Sequence, residues 1–288
     1  MFCSMKTDAS KFADKITKQS KTSFYYTFLF LPKQKRDAMN TIYSFCRISD
    51  DIVDEDLPIQ TKEINLREWE ANLKAAENQT TKDPYFQKIS EILDRFKIPY
   101  HLLFDLISGM RMDLVQSNYT TFSDLRNYCY HVASVVGLMC IEIFGYKNEE
   151  TKAYAEQLGI ALQLTNIIRD AYADSLIDRY YIPDEDFTTF NYTKTELRNG
   201  VYNEQFIKLM QFQTERAKSY YKKATELLPR KDKKALVVSE MMHKIYYRIL
   251  LKIEAKHFNV FEGKISLSSS RKLQIASSEF FKTKLGFA

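Results

Sequence analysis

Apolar residues recur at helical spacing along the whole chain, and this period constrains the fold more than any other feature. Met242, Ile245, Tyr246, Ile249, Leu250 and Ile253 form one stripe in steps of three and four, and Ala155, Leu158, Leu162, Thr165 and Ile168 form another. Strand signals are weak. No β-branched alternation is bounded by Asn-Gly or Asp-Gly turns, and Asn199-Gly200 leads into a polar-rich helical pattern. Helix breaks fall near Pro32, Pro58, Pro84, Pro99, Gly145, Pro183, Asn199-Gly200 and Pro229. With no long-period repeat and no separating linker, residues 1–288 read as a single all-α domain. The spacing of the breaks predicts roughly eight to twelve helices.

One predicted helix is unusually apolar. Thr121 or Ser123 would cap it, and it runs through Tyr128, Val132, Val136 and Cys140. Ala133, Ser134 and Gly137 lie on one side, so it is either a central buried helix or the wall of an apolar cavity.

Composition removes several function classes. Only 7 of the 288 residues are glycine, and neither GxGxxG nor GxxxxGK[ST] occurs. A backbone phosphate cradle needs glycine at fixed positions, so phosphate binding here must use side chains and metal. The formal charge of +5 is mild. The basic stretch Arg230-Lys231-Asp232-Lys233-Lys234 reads as a solvated loop. A basic stripe with interleaved aromatics is absent, and no nucleic-acid partner is expected. No transmembrane helix is expected, because no run of about 18 apolar residues occurs. The opening residues do not read as a secretory signal. Cys3, Cys46, Cys129 and Cys140 lack CxxC spacing, as in a reduced cytoplasmic chain, and His101, His131, His243 and His257 lack zinc-ligand spacing. The tail from Arg271 reads as a last helix packed on the core, with peripheral membrane contact as the alternative. No feature assigns an oligomeric state.

Two acidic clusters carry the chemistry. In Arg47-Ile48-Ser49-Asp50-Asp51-Ile52-Val53-Asp54, the aspartates Asp50 and Asp54 are spaced i, i+4 and share one helix face. Asp170 and Asp174 repeat that spacing after Arg169, and Gln163 and Asn166 extend the same polar face of an otherwise apolar helix. One such pair could be a solvated helix end. Two pairs, each behind an arginine and each ending an apolar run, point to a cation between repelling carboxylates. Hard oxygen ligands select Mg²⁺, or Mn²⁺, over zinc. Magnesium rarely takes an all-protein cage and fills its shell with waters and phosphate oxygens. Facing aspartate pairs would therefore hold a diphosphate, with arginines balancing the remaining charge.

These blocks resemble the squalene/phytoene synthase family of head-to-head isoprenyl diphosphate synthases over roughly residues 20–260. The matching segments are Ser23-Phe24-Tyr25, Leu31-Pro32, Ile42 to Arg47 leading into Asp50-Asp51-Ile52-Val53-Asp54, Tyr128 to Gly137, and Leu158 to Asp170 closed by Asp174. Arg179, Tyr181 and Pro183 continue the pattern. The resemblance implies the isoprenoid-synthase helical bundle around a central cavity. It implies metal and diphosphate binding by Asp50, Asp54, Asp170 and Asp174. It also implies diphosphate contacts from Ser23, Tyr43, Arg47, Gln163, Asn166 and Arg169, with Tyr246 reaching the same region. Phe24, Val132, Ala133, Val136, Gly137, Leu158 and Leu162 would line the prenyl tunnel, and Tyr128 and Arg179 lie in the matched substrate-binding blocks.

The sequence departs from the family at Ala171-Tyr172-Ala173, where a Gly-Glu step is common, and at Asp178, where glycine is frequent. These changes put the flap after the second motif in question. The activity expected from the resemblance is condensation of two farnesyl diphosphates to presqualene diphosphate, with squalene following if NADPH supplies hydride. Phytoene or dehydrosqualene synthesis is the alternative. A head-to-tail elongase would carry a second DDxxD, which is absent here. A non-enzymatic assembly factor is expected to lose its metal ligands, and all four aspartates remain.

Overall fold

The computed structural model describes residues 9–20 and 22–285; Cys3 lies outside them. Among the described residues the chain forms fourteen α-helices and one π-helical turn, with a lone parallel bridge between Asn118 and Tyr180. The count exceeds twelve because three connections contain short helices: α2 (Ser23–Phe28), α10 (Asp184–Thr189) and α11 (Lys194–Arg198).

The bundle is built around α9 (Glu150–Ser175), which packs against α8 (Val135–Phe144), α12 (Glu204–Leu227) and α13 (Val237–Ala255). Apolar or small residues cover most of its circumference: Ala155, Leu158, Ile160, Ala161, Leu164, Ile167 and Ile168 are all buried. A helix apolar on so many sides is stable only inside a bundle.

The apolar helix begins as expected. Thr121 caps α7 (Phe122–Cys129) through a capping box with Asp124. The helix continues through a π turn at Tyr130–Ser134 into α8. By length and composition the span Phe122–Phe144 could cross a membrane, contrary to expectation, but here it lies within the bundle against α6 (Tyr100–Val115) and α9. It is both core and wall: Val135, Met139 and Ile143 are buried in the core, whereas Val132, Ala133 and Val136 face a cavity.

Two glycines set the approach of α8 to α9. A Cβ on Gly137 would stand 2.8 Å from the Ala155 carbonyl oxygen, and one on Gly159 would stand 2.7 Å from Ser134 Cα. Backbone cannot swing aside as a side chain can, so the space these glycines leave is taken by the neighbouring helix.

The first acidic cluster sits at the C-terminal end of α3 (Lys33–Asp54). An aromatic stack fixes that end: Trp69 of α4 (Ile59–Glu77) stacks on Phe45 at 5.2 Å and donates from Nε1 to Ser49 Oγ at 2.9 Å. Asp232 corrects the solvated-loop reading. It is buried and accepts from the backbone N–H groups of Lys147 and Asn148, the Asn148 amide and the Thr151 hydroxyl, at 2.8–3.1 Å. Burial raises its pKa, but these bonds outweigh burial and hold the carboxyl below its ordinary value. The basic neighbours stay outside while the acid ties the start of α9 to the bundle.

The last helix, α14 (Ser269–Leu285), packs on α13 and α2, with Phe280 against Phe30 at 5.1 Å. Leu273, Phe281 and Leu285 of α14 remain exposed.

Candidate active site

A cavity of about 540 Å³ runs between α2, α3, α6, α7–α8, α9 and α13. Asp50, Asp54, Asp170 and Asp174 stand at its polar end, with Arg47, Arg169 and Arg179. Tyr43, Gln163, Asn166, Tyr128 and Tyr246 also line it. The expected tunnel residues Phe24, Val132, Ala133, Val136, Gly137, Leu158 and Leu162 line the apolar remainder. Ser23 is the exception: it is buried as the first residue of α2 and does not reach the cavity. Thr22 occupies that place instead, its hydroxyl donating to Tyr43 Oη at 3.2 Å. The one-residue difference arises because α2 begins at Ser23 and turns its side chain inward.

Both aspartate pairs occupy the last turns of their helices, α3 and α9. Carbonyl dipoles make a helix C-terminus negative, so carboxylates there are placed against the local field as well as against each other. Asp50 is pushed up to about 7 by burial and then by Asp54, and Asp174 to about 7 by burial and then by Asp170. Each pair therefore carries negative charge that the protein only partly offsets.

The offsetting cations are specific. Arg47 reaches Asp50 at 3.0 Å and Asp51 at 2.5 Å. Arg169 forms a two-pronged ion pair with Asp170, its Nε donating at 2.9 Å. Arg179, beyond the second motif, crosses to Asp54 of the first at 2.8 Å and so closes the ring between the two. Lys264 stands 3.6 Å from Asp170.

Asp113, near the end of α6, was missed by the sequence reading. It lines the cavity and accepts from Tyr128 Oη at 3.0 Å and Tyr181 Oη at 2.9 Å. Burial pushes it up to about 6, against the Tyr181 hydrogen bond and Arg179. A lone acid lacks the repeated spacing that marked the other four, and only the fold brings it beside them.

The segment after the second motif is well fixed despite its unusual residues. Asp178 has φ of +60°, a left-handed conformation that explains why glycine suits the position. Aspartate tolerates it, and its carboxylate pairs with Arg198. Arg179 N–H donates to the Asp174 carbonyl at 3.0 Å and Tyr180 N–H to the Ser117 carbonyl at 2.7 Å. Tyr172, inside the altered motif, packs edge-on against Phe261 at 5.0 Å, on the loop that carries Lys264.

Among the described residues, no three Asp, Glu, His or Cys side chains form a ready-made metal cage. The donors still fit magnesium: two carboxylate pairs beside arginines, with Asp50 and Asp174 raised in pKa, leave coordination positions for water and diphosphate oxygens.

Comparison with known proteins places the chain in a family. Residues 17–271 match the squalene/phytoene synthase family. The chain is 35% identical over 272 residues to a 15-cis-phytoene synthase of Synechococcus elongatus, covering 90% of this chain and 88% of the relative. It is 32% identical to a phytoene synthase of Mycobacterium tuberculosis, covering 94% and 90%. A dehydrosqualene synthase structure superposes with a TM-score of 0.86 at 30% identity, covering 97% of each chain. A squalene synthase from Alicyclobacillus acidocaldarius shares the fold with a TM-score of 0.79 at 24% identity, covering 87% of this chain and 95% of that one. With motif, cavity and fold in agreement, the chain belongs to the squalene/phytoene synthase family of head-to-head prenyltransferases.

Proposed function

We propose that this enzyme condenses two C20 geranylgeranyl diphosphates to phytoene. The observation that carries this choice over the farnesyl reading is the similarity to phytoene synthases over nearly the whole of both chains. The span of the cavity accommodates it. The cavity runs along α9 from Asp170 down to Tyr154, and at about 1.5 Å of rise per residue that step spans roughly 24 Å. A C–C bond of about 1.5 Å advances an extended chain by roughly 1.25 Å, so a geranylgeranyl chain needs about 19 Å and a farnesyl chain about 14 Å. A C20 chain leaves about 5 Å of that span for the diphosphate and its metal and a C15 chain about 10 Å, so the span accepts either chain. The second reading, dehydrosqualene from the C15 substrate, is favoured by the fit to the dehydrosqualene synthase structure.

The residues divide the work. Arg47, Arg169, Arg179 and Lys264 would meet the charge that grows on the departing diphosphate. Asp50, Asp54, Asp170 and Asp174 would hold magnesium, which when bound adds electrophilic pull on the diphosphate oxygens. Phe24 lies 5.5 Å from Tyr43 and 5.9 Å from Phe28, giving a cluster of aromatic faces that can stabilise an allylic cation. The apolar walls exclude the water that would quench it. Attack by the second chain's double bond, with loss of one proton, gives a cyclopropylcarbinyl diphosphate. Departure of its diphosphate, rearrangement and loss of another proton give the hydrocarbon without hydride.

Purified protein with Mg²⁺ and either farnesyl or geranylgeranyl diphosphate, with and without NADPH, tests the reading. A C40 hydrocarbon independent of NADPH is expected. A C30 product alone would overturn the substrate assignment.

A further inference from the structure

Away from the aspartates the cavity is lined by Ile141 and Phe144 of α8, Tyr154 of α9, and Val238 and Ser239 of α13. A prenyl tail offers no hydrogen-bonding group, so a tyrosine here requires a partner outside the cavity. Tyr154 has one: its fully buried side chain donates from Oη to Glu240 Oε1 at 2.8 Å. Glu240 lies beside His243, whose Nδ1 is 3.6 Å from the same oxygen. Burial opposes the Glu240 charge, yet His243 and the Tyr154 hydroxyl outweigh it and hold the carboxyl below its ordinary value. The acceptor is thus ionised, and a charge-assisted bond holds the ring more firmly than apolar packing alone. The backbone at this depth is equally fixed, because Gly137 lets α8 approach the carbonyl of Ala155, the next residue.

We propose that Tyr154, anchored by Glu240, is the stop that sets the length of prenyl chain the cavity accepts, with Ser239 as the second floor position. The proposal deepens the phytoene reading and takes from it the chain that ends at this floor. Tyr154 is a specificity-determining residue and Glu240 its positioning residue. Removing the ring opens room for about one isoprene unit, roughly 5 Å of chain. Filling the space over Ser239 shortens the cavity from the same end.

The test is competition among farnesyl, geranylgeranyl and geranylfarnesyl diphosphates with Mg²⁺, products sized by mass spectrometry. Even one methylene in a fitted pocket discriminates by about tenfold or more. Tyr154→Ala is therefore expected to raise use of the C25 substrate relative to C20 at least tenfold. Ser239→Phe is expected to raise C15 relative to C20 by a similar factor. A folded Tyr154→Ala protein, checked by circular dichroism, with the wild-type length ratio would overturn the proposal. If that variant does not fold, an unchanged ratio in Ser239→Phe overturns it instead. Failure of the C20 assignment shows up separately, as a wild-type preference for farnesyl diphosphate. The stop is then still tested by the direction in which each variant moves that preference.

Discussion

Asp50 and Asp174, each pushed up to about 7, bind protons more tightly in the folded protein than in the unfolded chain. For a carboxyl with a raised pKa, stability is greatest when it is protonated and falls as pH rises from the unfolded value, about 4, to the folded one. Metal-free protein is therefore expected to melt at a lower temperature at pH 8 than at pH 5.5, with a shallower slope in Asp50→Asn; thermal scans across that range check it. Because the Asp50 side chain is 41% exposed toward the cavity mouth, solvent screening keeps the effect modest. The same protons compete with the cation, so the Mg²⁺ concentration for half-maximal activity is expected to be higher at pH 6 than at pH 8. Asp50→Asn should lower diphosphate release by about a thousandfold or more with the fold intact, and near-wild-type release would remove the metal assignment. Four of the five site aspartates were legible because their i, i+4 spacing is a local property of a helix. Asp113 was not, because its tyrosine partners Tyr128 and Tyr181 come from distant segments.

Single contacts hold whole elements in register. Gly159→Ala would push a Cβ to within 2.8 Å of the Ala133 carbonyl oxygen and 2.7 Å of Ser134 Cα. Overpacking against backbone should destabilise by about 1–3 kcal/mol, read from the urea midpoint. Gly137, expected to line the tunnel, and Gly159 both line the cavity, but both positions are dictated by helix–helix approach. Asp232 does the corresponding work at the start of α9. Asp232→Ala strands four donors, two of them backbone N–H groups, and should lose about 3 kcal/mol. Its lowered pKa makes its contribution present above about pH 4 and lost as pH falls through the folded value. Charge-run reasoning placed this residue outside because sequence displays its lysine neighbours and conceals its tertiary donors.

For the whole molecule, the decisive event is the meeting of two helix ends more than a hundred residues apart. The Arg179–Asp54 pair marks it, joining the segment after one motif to the acid of the other. The all-α class and the acid pairs were determined by the sequence itself, since helical period and i, i+4 spacing are short-range regularities of one chain segment, whereas the tunnel wall was expected only from the family resemblance. The cavity's depth belongs to the tertiary structure. It depends on where α8, α9 and α13 cross and on the bond that pins Tyr154 to Glu240. Under the proposed function, the choice between a C15 and a C20 chain would follow from that depth. Length along a cavity is a distance between elements, and no local pattern encodes it.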